Sequence, residues 1–198
     1  MLFSATKEWT TSVGDRALLF ESLIQDSYKQ AYGLAYRLTG NVAEAEDLVQ
    51  ESFVRAYRFF HRYDETLPFT SWLYRIMTNA HIDMVRRRGR IKTTSLEASG
   101  TDGATTWDLP DNEASPDRHM LLNALDEPVQ KALTSMTAEF RTAVLLADVE
   151  GLAYEEVAEI MRTSVGTVRS RIHRGRKQIR NYLLKHAPQT YGSFCDEL

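Results

Sequence analysis

Val165-Gly166-Thr167-Val168-Arg169-Ser170-Arg171-Ile172-His173-Arg174-Gly175-Arg176-Lys177-Gln178-Ile179-Arg180 is the stretch on which the reading of this chain turns. From Arg162 to Lys185 there are eight Lys/Arg and no Asp/Glu, a local charge of +8. The whole chain carries −3, which leaves −11 on the remainder. A dense positive segment on an otherwise acidic protein is the electrostatic footprint of an element that docks on nucleic-acid phosphates. Steps of 100° per residue sort the segment into helical faces. Val165, Val168, Ile172, Ile179 and Leu183 fall on one stripe, suited to packing. Arg169, Ser170, His173, Arg174 and Lys177 fall outside it, with Arg171 on the opposite flank and Arg176 near the stripe's edge. Upstream, Tyr154–Met161 and then Arg162-Thr163-Ser164 give helix-turn-helix spacing, with Ser164 placed to cap the second helix. In a major groove arginine pairs bidentately with guanine, and serine and histidine offer adaptable hydrogen bonds. The flanking cations fix position on phosphates. A solvated basic surface is the plain alternative; the turn spacing and the one-sided charge favour DNA.

Outward from this segment, helical periodicity continues. The spacing predicts a first helix over Ala17–Leu38, closed by Gly40. Asn41 reads as an N-cap with Glu44 three residues on, a capping box. The second helix runs to about His61 on Ala45, Leu48, Val49, Phe53, Ala56 and Phe60. After a loop, Arg62–Pro68, a third helix over Thr70–Arg88 buries Trp72, Leu73, Ile76, Met77, Ala80 and Met84. Its other side presents Ser71, Tyr74, Arg75, Thr78, Asn79 and His81, followed by Arg86, Arg87 and Arg88. Further helices are expected over Val129–Met136 and Ala138–Val149, with Thr137 as a cap, and then over the helix-turn-helix. Ser115-Pro116 and Asp126-Glu127-Pro128 both read as helix starts. The tail from Pro188 reads as frayed.

Between Thr93 and Asp117 lie six acidic residues and no basic ones, interspersed with Gly, Ser and Thr, the composition of a linker. The expected architecture is therefore all-α: two helical domains joined by an acidic flexible linker, the C-terminal one a helix-turn-helix. The boundaries are 1–92, 93–117, 118–187 and a tail at 188–198. With 43% apolar and 26% charged residues the chain has material for real cores and is not of disordered composition. Cys195 is the lone cysteine, so an internal disulfide is excluded and a reducing compartment fits. No stretch approaches 18 apolar residues, so neither secretion nor membrane insertion is expected and the expected location is cytoplasmic. His61 and His81 have no ligand partners at useful spacing, so no metal or other cofactor is expected.

The string Val165-Gly-Thr-Val-Arg-Ser-Arg-Ile-His-Arg-Gly-Arg resembles the promoter-reading helix of bacterial RNA polymerase sigma factors of the extracytoplasmic-function group. Asn41-Val-Ala-Glu-Ala-Glu-Asp-Leu-Val-Gln-Glu-Ser-Phe-Val-Arg-Ala-Tyr resembles the helix by which they dock on core polymerase. Phe69-Thr-Ser-Trp-Leu-Tyr-Arg-Ile-Met-Thr-Asn79 resembles their promoter-melting helix. The three matches stand in family order over about residues 17–88 and 120–185. Phe140–Leu152 looks most like the branch that answers oxidative or thiol stress.

The resemblance implies a sigma factor that binds core RNA polymerase, reads a −35 element as duplex and melts a −10 element. It assigns −35 contacts to Arg169, Ser170, Arg171, His173, Arg174, Arg176 and Lys177. It places −10 contacts at Tyr63, Phe69, Ser71, Tyr74, Arg75, Thr78, Asn79, Arg86, Arg87 and Arg88, where aromatic and amide groups among cations suit an unstacked strand. It places docking at Glu44, Asp47, Gln50 and Glu51. The short linker leaves no room for the middle domain of housekeeping sigma factors. No acidic autoinhibitory segment is seen at the N-terminus, so inhibition is expected from a separate anti-sigma factor. Thr137 departs from the family, whose members often carry Leu-Pro where this chain has Met136-Thr137. The competing reading is a conventional dimeric helix-turn-helix regulator, which has no reason to carry the acidic second helix or the Trp72 helix. A nucleic-acid-processing enzyme is disfavoured by the lack of a carboxylate cluster, phosphate loop or nucleophile–base pair.

Overall fold

Helices α1 (Val13–Thr39), α2 (Val42–Phe59) and α3 (Phe69–Glu97) form one unit in the computed structural model, which describes residues 13–97 and 125–195. A 3-10 turn, Phe60–Arg62, follows α2. The second unit comprises α4 (Glu127–Thr134), α5 (Ala138–Val144), α6 (Tyr154–Ile160), α7 (Val165–His186) and α8 (Pro188–Cys195). Every regular element among the described residues is helical. The Ser115-Pro116 start and most of the acidic linker lie outside the described residues.

Local chemistry sets the helix ends. Gly40 adopts φ +71, the left-handed conformation that stops α1. The Asn41 side chain then accepts from the Glu44 amide at 3.0 Å. The reciprocal half of the expected capping box is absent: Glu44 instead pairs with Arg88 of α3 at 2.7 Å. Thr137 occupies the N-cap of α5 but makes no side-chain cap bond. Asp126 likewise does not cap α4; it accepts from the Tyr191 hydroxyl at 2.6 Å. That bond, with Pro188 opening α8, orders part of a tail the sequence suggested would fray. Past Val144 the chain widens into a π-turn, Leu145–Val149, rather than continuing as regular α-helix to Val149. Also, α3 continues to Glu97, because no proline interrupts it after Arg88.

The apolar stripes meet as the periodicity predicts. Leu34, Leu38, Leu48, Leu73 and Met77 are fully buried in the first unit, and Leu133, Leu145, Leu146, Val157, Val168 and Ile172 in the second. Burying one such leucine contributes about 1.5–3 kcal/mol. The two sets belong to a single hydrophobic cluster, so the two units share a core. Polar links reinforce the junction. Arg141 of α5 donates to the Leu38 carbonyl at the end of α1, and also to the carbonyls of Thr134 at 2.7 Å and Met136 at 3.0 Å. Gln130 reaches the carbonyls of Tyr36 and Arg37.

Candidate nucleic-acid interface

The helix-turn-helix is built from α6, a turn through Arg162 and α7. Arg162 holds φ +50, a left-handed conformation uncommon for a residue with a side chain. Ser164 caps α7, its hydroxyl accepting from the Thr167 amide at 3.1 Å. Val168, Ile172 and Leu183 are buried and Val165 and Ile179 partly so, as the 100° sorting requires. Gly175 completes this face: a methyl group there would sit 2.5 Å from Val144 Cγ2, so glycine sets how closely α7 crosses α5. With that stripe inside, Arg169, Ser170, His173, Arg174 and Lys177 are exposed on one surface, and Arg171 is half-buried beside it. Arg176 differs. Its guanidinium forms a two-point pair with Asp148, at 2.9 and 2.5 Å, and this bond holds its pKa above the usual range. It braces α7 against the π-turn.

The third helix departs from its sequence reading. Tyr74, Thr78 and His81, expected on a free polar face, are buried at 4%, 1% and 2% exposure. The second unit covers this face, something helical periodicity within α3 cannot reveal. The Tyr74 hydroxyl donates to Glu150 at 2.6 Å, and burial, then that bond and charge, push its pKa up. Glu150 also accepts from Arg37 at 2.7 Å. Burial, then the charges of Arg141 and Arg88, push the His81 pKa down to about 4.

The remaining groups of this region surround two clefts. Arg62, Trp72, Arg75 and Asn79 line one of about 250 Å³, with Phe59 and Arg162. Ser71, Trp72 and Arg75 line a second of about 120 Å³, facing Glu156 and Glu159 of α6. Trp72 is half-buried: it packs on Phe60, Tyr63 and Phe69 with centroids 5.3–6.4 Å away, yet contributes to both clefts. Phe69 is buried in this cluster. Tyr63 is half-buried, and its hydroxyl donates to the Leu67 carbonyl at 2.7 Å, shaping the loop before α3. In that loop Asp64 accepts from the Thr66 amide and hydroxyl, the amide bond leading in lowering its pKa.

On α2, Asp47, Gln50 and Glu51 are exposed and line an open groove of about 560 Å³ with Val54, Asp83 and Arg87. Glu51 pairs with Arg55 at 2.5 Å. Glu44 is set apart by its pair with Arg88, and Arg86 lies 4.0 Å from Glu139 of α5. Sequence reasoning found the basic face and the acidic face. It missed Arg37, Arg141 and Glu150, each of which has a partner 76 to 113 residues away in the chain, a separation that leaves no local pattern.

Known proteins match both units. Sigma-70 region 2 matches residues 23–91, and sigma-70 region 4 matches residues 126–179. The chain is 44% identical over 182 residues to the ECF RNA polymerase sigma factor SigE of Mycolicibacterium smegmatis, covering 90% of this chain and 68% of that protein. It is 37% identical over 162 residues to the ECF RNA polymerase sigma factor SigW of Bacillus subtilis, covering 81% and 87%. Among solved structures, the sigma factor RpoE in complex with the anti-sigma factor NepR from Bartonella quintana has a TM-score of 0.62 at 22% identity, over 83% of this chain and 96% of that one. CnrH in complex with the cytosolic domain of CnrY has a TM-score of 0.58 at 23% identity, over 86% and 91%. These two are likenesses of fold.

A sigma-70 region 2 in one unit and a sigma-70 region 4 in the other define a transcription initiation factor of the sigma-70 type. The chain belongs to the extracytoplasmic-function sigma factors, which bind core RNA polymerase and direct promoter-specific initiation.

Proposed function

We propose that α7 reads the −35 element as duplex through Arg169, Ser170, His173 and Arg174, with Arg171 and Lys177 on phosphates. The observation that carries this reading is the exposed surface these side chains share, opposite the packed stripe of Val168, Ile172 and Leu183 and behind the Ser164 cap. Cations beside adaptable polar groups suit base edges flanked by phosphates. Arg176 acts indirectly, by bracing α7 through Asp148. In the other unit the strand of the −10 element is captured by Ser71, Arg75 and Asn79 beside Trp72, with the loop from Tyr63 to Phe69 as the wall. Tyr74 and Thr78 join this surface when the second unit moves away. Arg86 and Arg87 hold the backbone, and Arg88 orients Glu44. Asp47, Gln50 and Glu51 bind a basic element of core polymerase.

The functional units are residues 1–92, a linker at 93–117 and residues 118–187, with a tail after them. The chain performs no catalysis itself, since the polymerase supplies the chemistry, and it works in the cytoplasm with that enzyme. An anti-sigma factor controls it in a stress response; the anti-sigma factor NepR bound to one fold neighbour supports this. The test is reconstitution of the full chain with core polymerase on fragmented genomic DNA, sequencing transcript 5′ ends. Discrete starts that share spaced −35 and −10 elements, absent with core alone, are the expected result. Tight duplex binding by the chain alone without such starts would instead indicate a conventional regulator.

A further inference from the structure

Three arginines from three separate places in the chain line one cleft. Arg62 comes from the 3-10 turn after α2, Arg75 from α3, and Arg162 from the turn of the helix-turn-helix. The cleft, of about 250 Å³, is shared with Phe59, Trp72 and Asn79, and no acidic residue lines it. None of the three guanidiniums makes an ion pair among the described residues. Like charges gathered without a counter-charge repel, so an anion between them stabilises the arrangement. Arg162 supplies a second, independent observation. It holds φ +50, where glycine or asparagine costs less than arginine. A side chain kept at a backbone position that disfavours it points to a use for that side chain. The aromatic groups are at hand as well: Trp72 is half-buried, and Phe59 is exposed with the Arg62 guanidinium 5.4 Å over its ring.

We infer that this cleft is a binding site for a free nucleoside polyphosphate. Guanidinium forks match phosphate oxygens two at a time, aromatic rings stack on a base, and the Asn79 amide offers a donor and an acceptor to the base edge. Three arginines exceed what a single phosphate requires and suit a chain of two or three. The volume lies just under the roughly 300–1,000 Å³ of drug-sized ligand sites, a fit for one nucleotide. No carboxylate lines the cleft to hold a divalent cation, so arginine alone meets the phosphates. Arg75 and Asn79 also serve the strand surface proposed above. Arg62 and Arg162 have no part in that surface, so the nucleotide site does not depend on it. The bound nucleotide touches both units, because Arg162 belongs to the second and Arg62, Arg75 and Asn79 to the first.

The test uses the full chain without polymerase, carrying Trp9→Phe and Trp107→Phe so that Trp72 is the one remaining tryptophan. Its fluorescence is followed as GTP or ATP is added in EDTA. Guanosine, pyrophosphate and a single-stranded tetranucleotide are then ranked by competition. Saturable quenching by GTP or ATP is expected, with guanosine and pyrophosphate each about tenfold weaker, the loss of one set of contacts. Arg162→Gly removes the guanidinium and relieves the left-handed backbone. It is expected to keep the parent's melting temperature and to weaken nucleotide binding about tenfold, the effect of one charge-assisted pair. Arg62→Ala, at an exposed position, is expected to do the same. Absence of saturable quenching, unchanged nucleotide affinity in either variant, or pyrophosphate binding as tightly as the triphosphates would each overturn the site. A tetranucleotide that competes as tightly as GTP, and loses as much with Arg162→Gly, would assign the cleft to a nucleic-acid strand, and the nucleotide inference falls.

Discussion

Single residues decide how α7 is presented. Gly175 lies where α7 crosses α5, and a methyl group there meets Val144 Cγ2 at 2.5 Å, too close for any real contact. Valine is stiff and cannot swing away, so the two helices must part. Gly175→Ala is expected to destabilise the protein by about 1–3 kcal/mol, the usual range for overpacking, read by urea denaturation. Gly166 in the same helix is the control. Nothing lies nearer its added methyl than Ser164 Oγ at 3.9 Å, so Gly166→Ala should be neutral or stabilising by up to about 1 kcal/mol. Arg169 is a test of reading rather than of folding. It is exposed and makes no ion pair among the described residues, leaving its guanidinium available for a base edge. Arg169→Ala in the holoenzyme should cost about 1–3 kcal/mol on the cognate −35 element and relax preference at one position. Equal weakening on every sequence would make it a phosphate contact.

Elements show where the sequence was legible and where it was not. Helices α1 to α7, the caps at Asn41 and Ser164 and the stop at Gly40 rest on contacts within a few residues, and these leave local patterns, whereas α8 stands where the sequence suggested a frayed tail. The outward face of α7 was legible for the same reason. The buried side of α3 was not: Tyr74, Thr78 and His81 look like surface residues until elements distant in sequence pack on α3. The Thr137 cap failed similarly, since an available hydroxyl does not guarantee a bond. The covered side of α3 has a consequence for pH. His81 titrates at about 4 in the folded chain, chiefly because burial disfavours its charged form, whereas its ordinary value is 6.5. The unfolded chain therefore takes up the proton first as pH falls. Above pH 6.5 the residue contributes no pH dependence; from there down to about pH 4 it removes about 3 kcal/mol of stability. His81→Gln should lose correspondingly less between pH 7 and pH 4 in urea melts. Parallel loss in both proteins would show that His81 keeps its ordinary pKa.

At the scale of the whole molecule, charge is partitioned: +8 in one segment and −11 elsewhere. Formal charge is not the same as charge available to DNA, and the structure separates the two. Lys177 is exposed and makes no ion pair among the described residues, so on docking it can displace a counterion from a phosphate. Arg176, one residue away, already has a counter-charge in Asp148, held by two hydrogen bonds. Moving Arg176 onto a phosphate would strand that carboxylate, so it contributes little to counterion release. Binding of holoenzyme to promoter duplex, measured across salt concentration, distinguishes them. Lys177→Ala should weaken binding to all sequences alike and reduce the slope of log affinity against log salt by about 1. Arg176→Ala should leave the slope unchanged while lowering stability, because it removes the brace between α7 and the π-turn. If Arg176→Ala reduces the slope as Lys177→Ala does, the Asp148 pair opens on DNA and both cations belong to the interface.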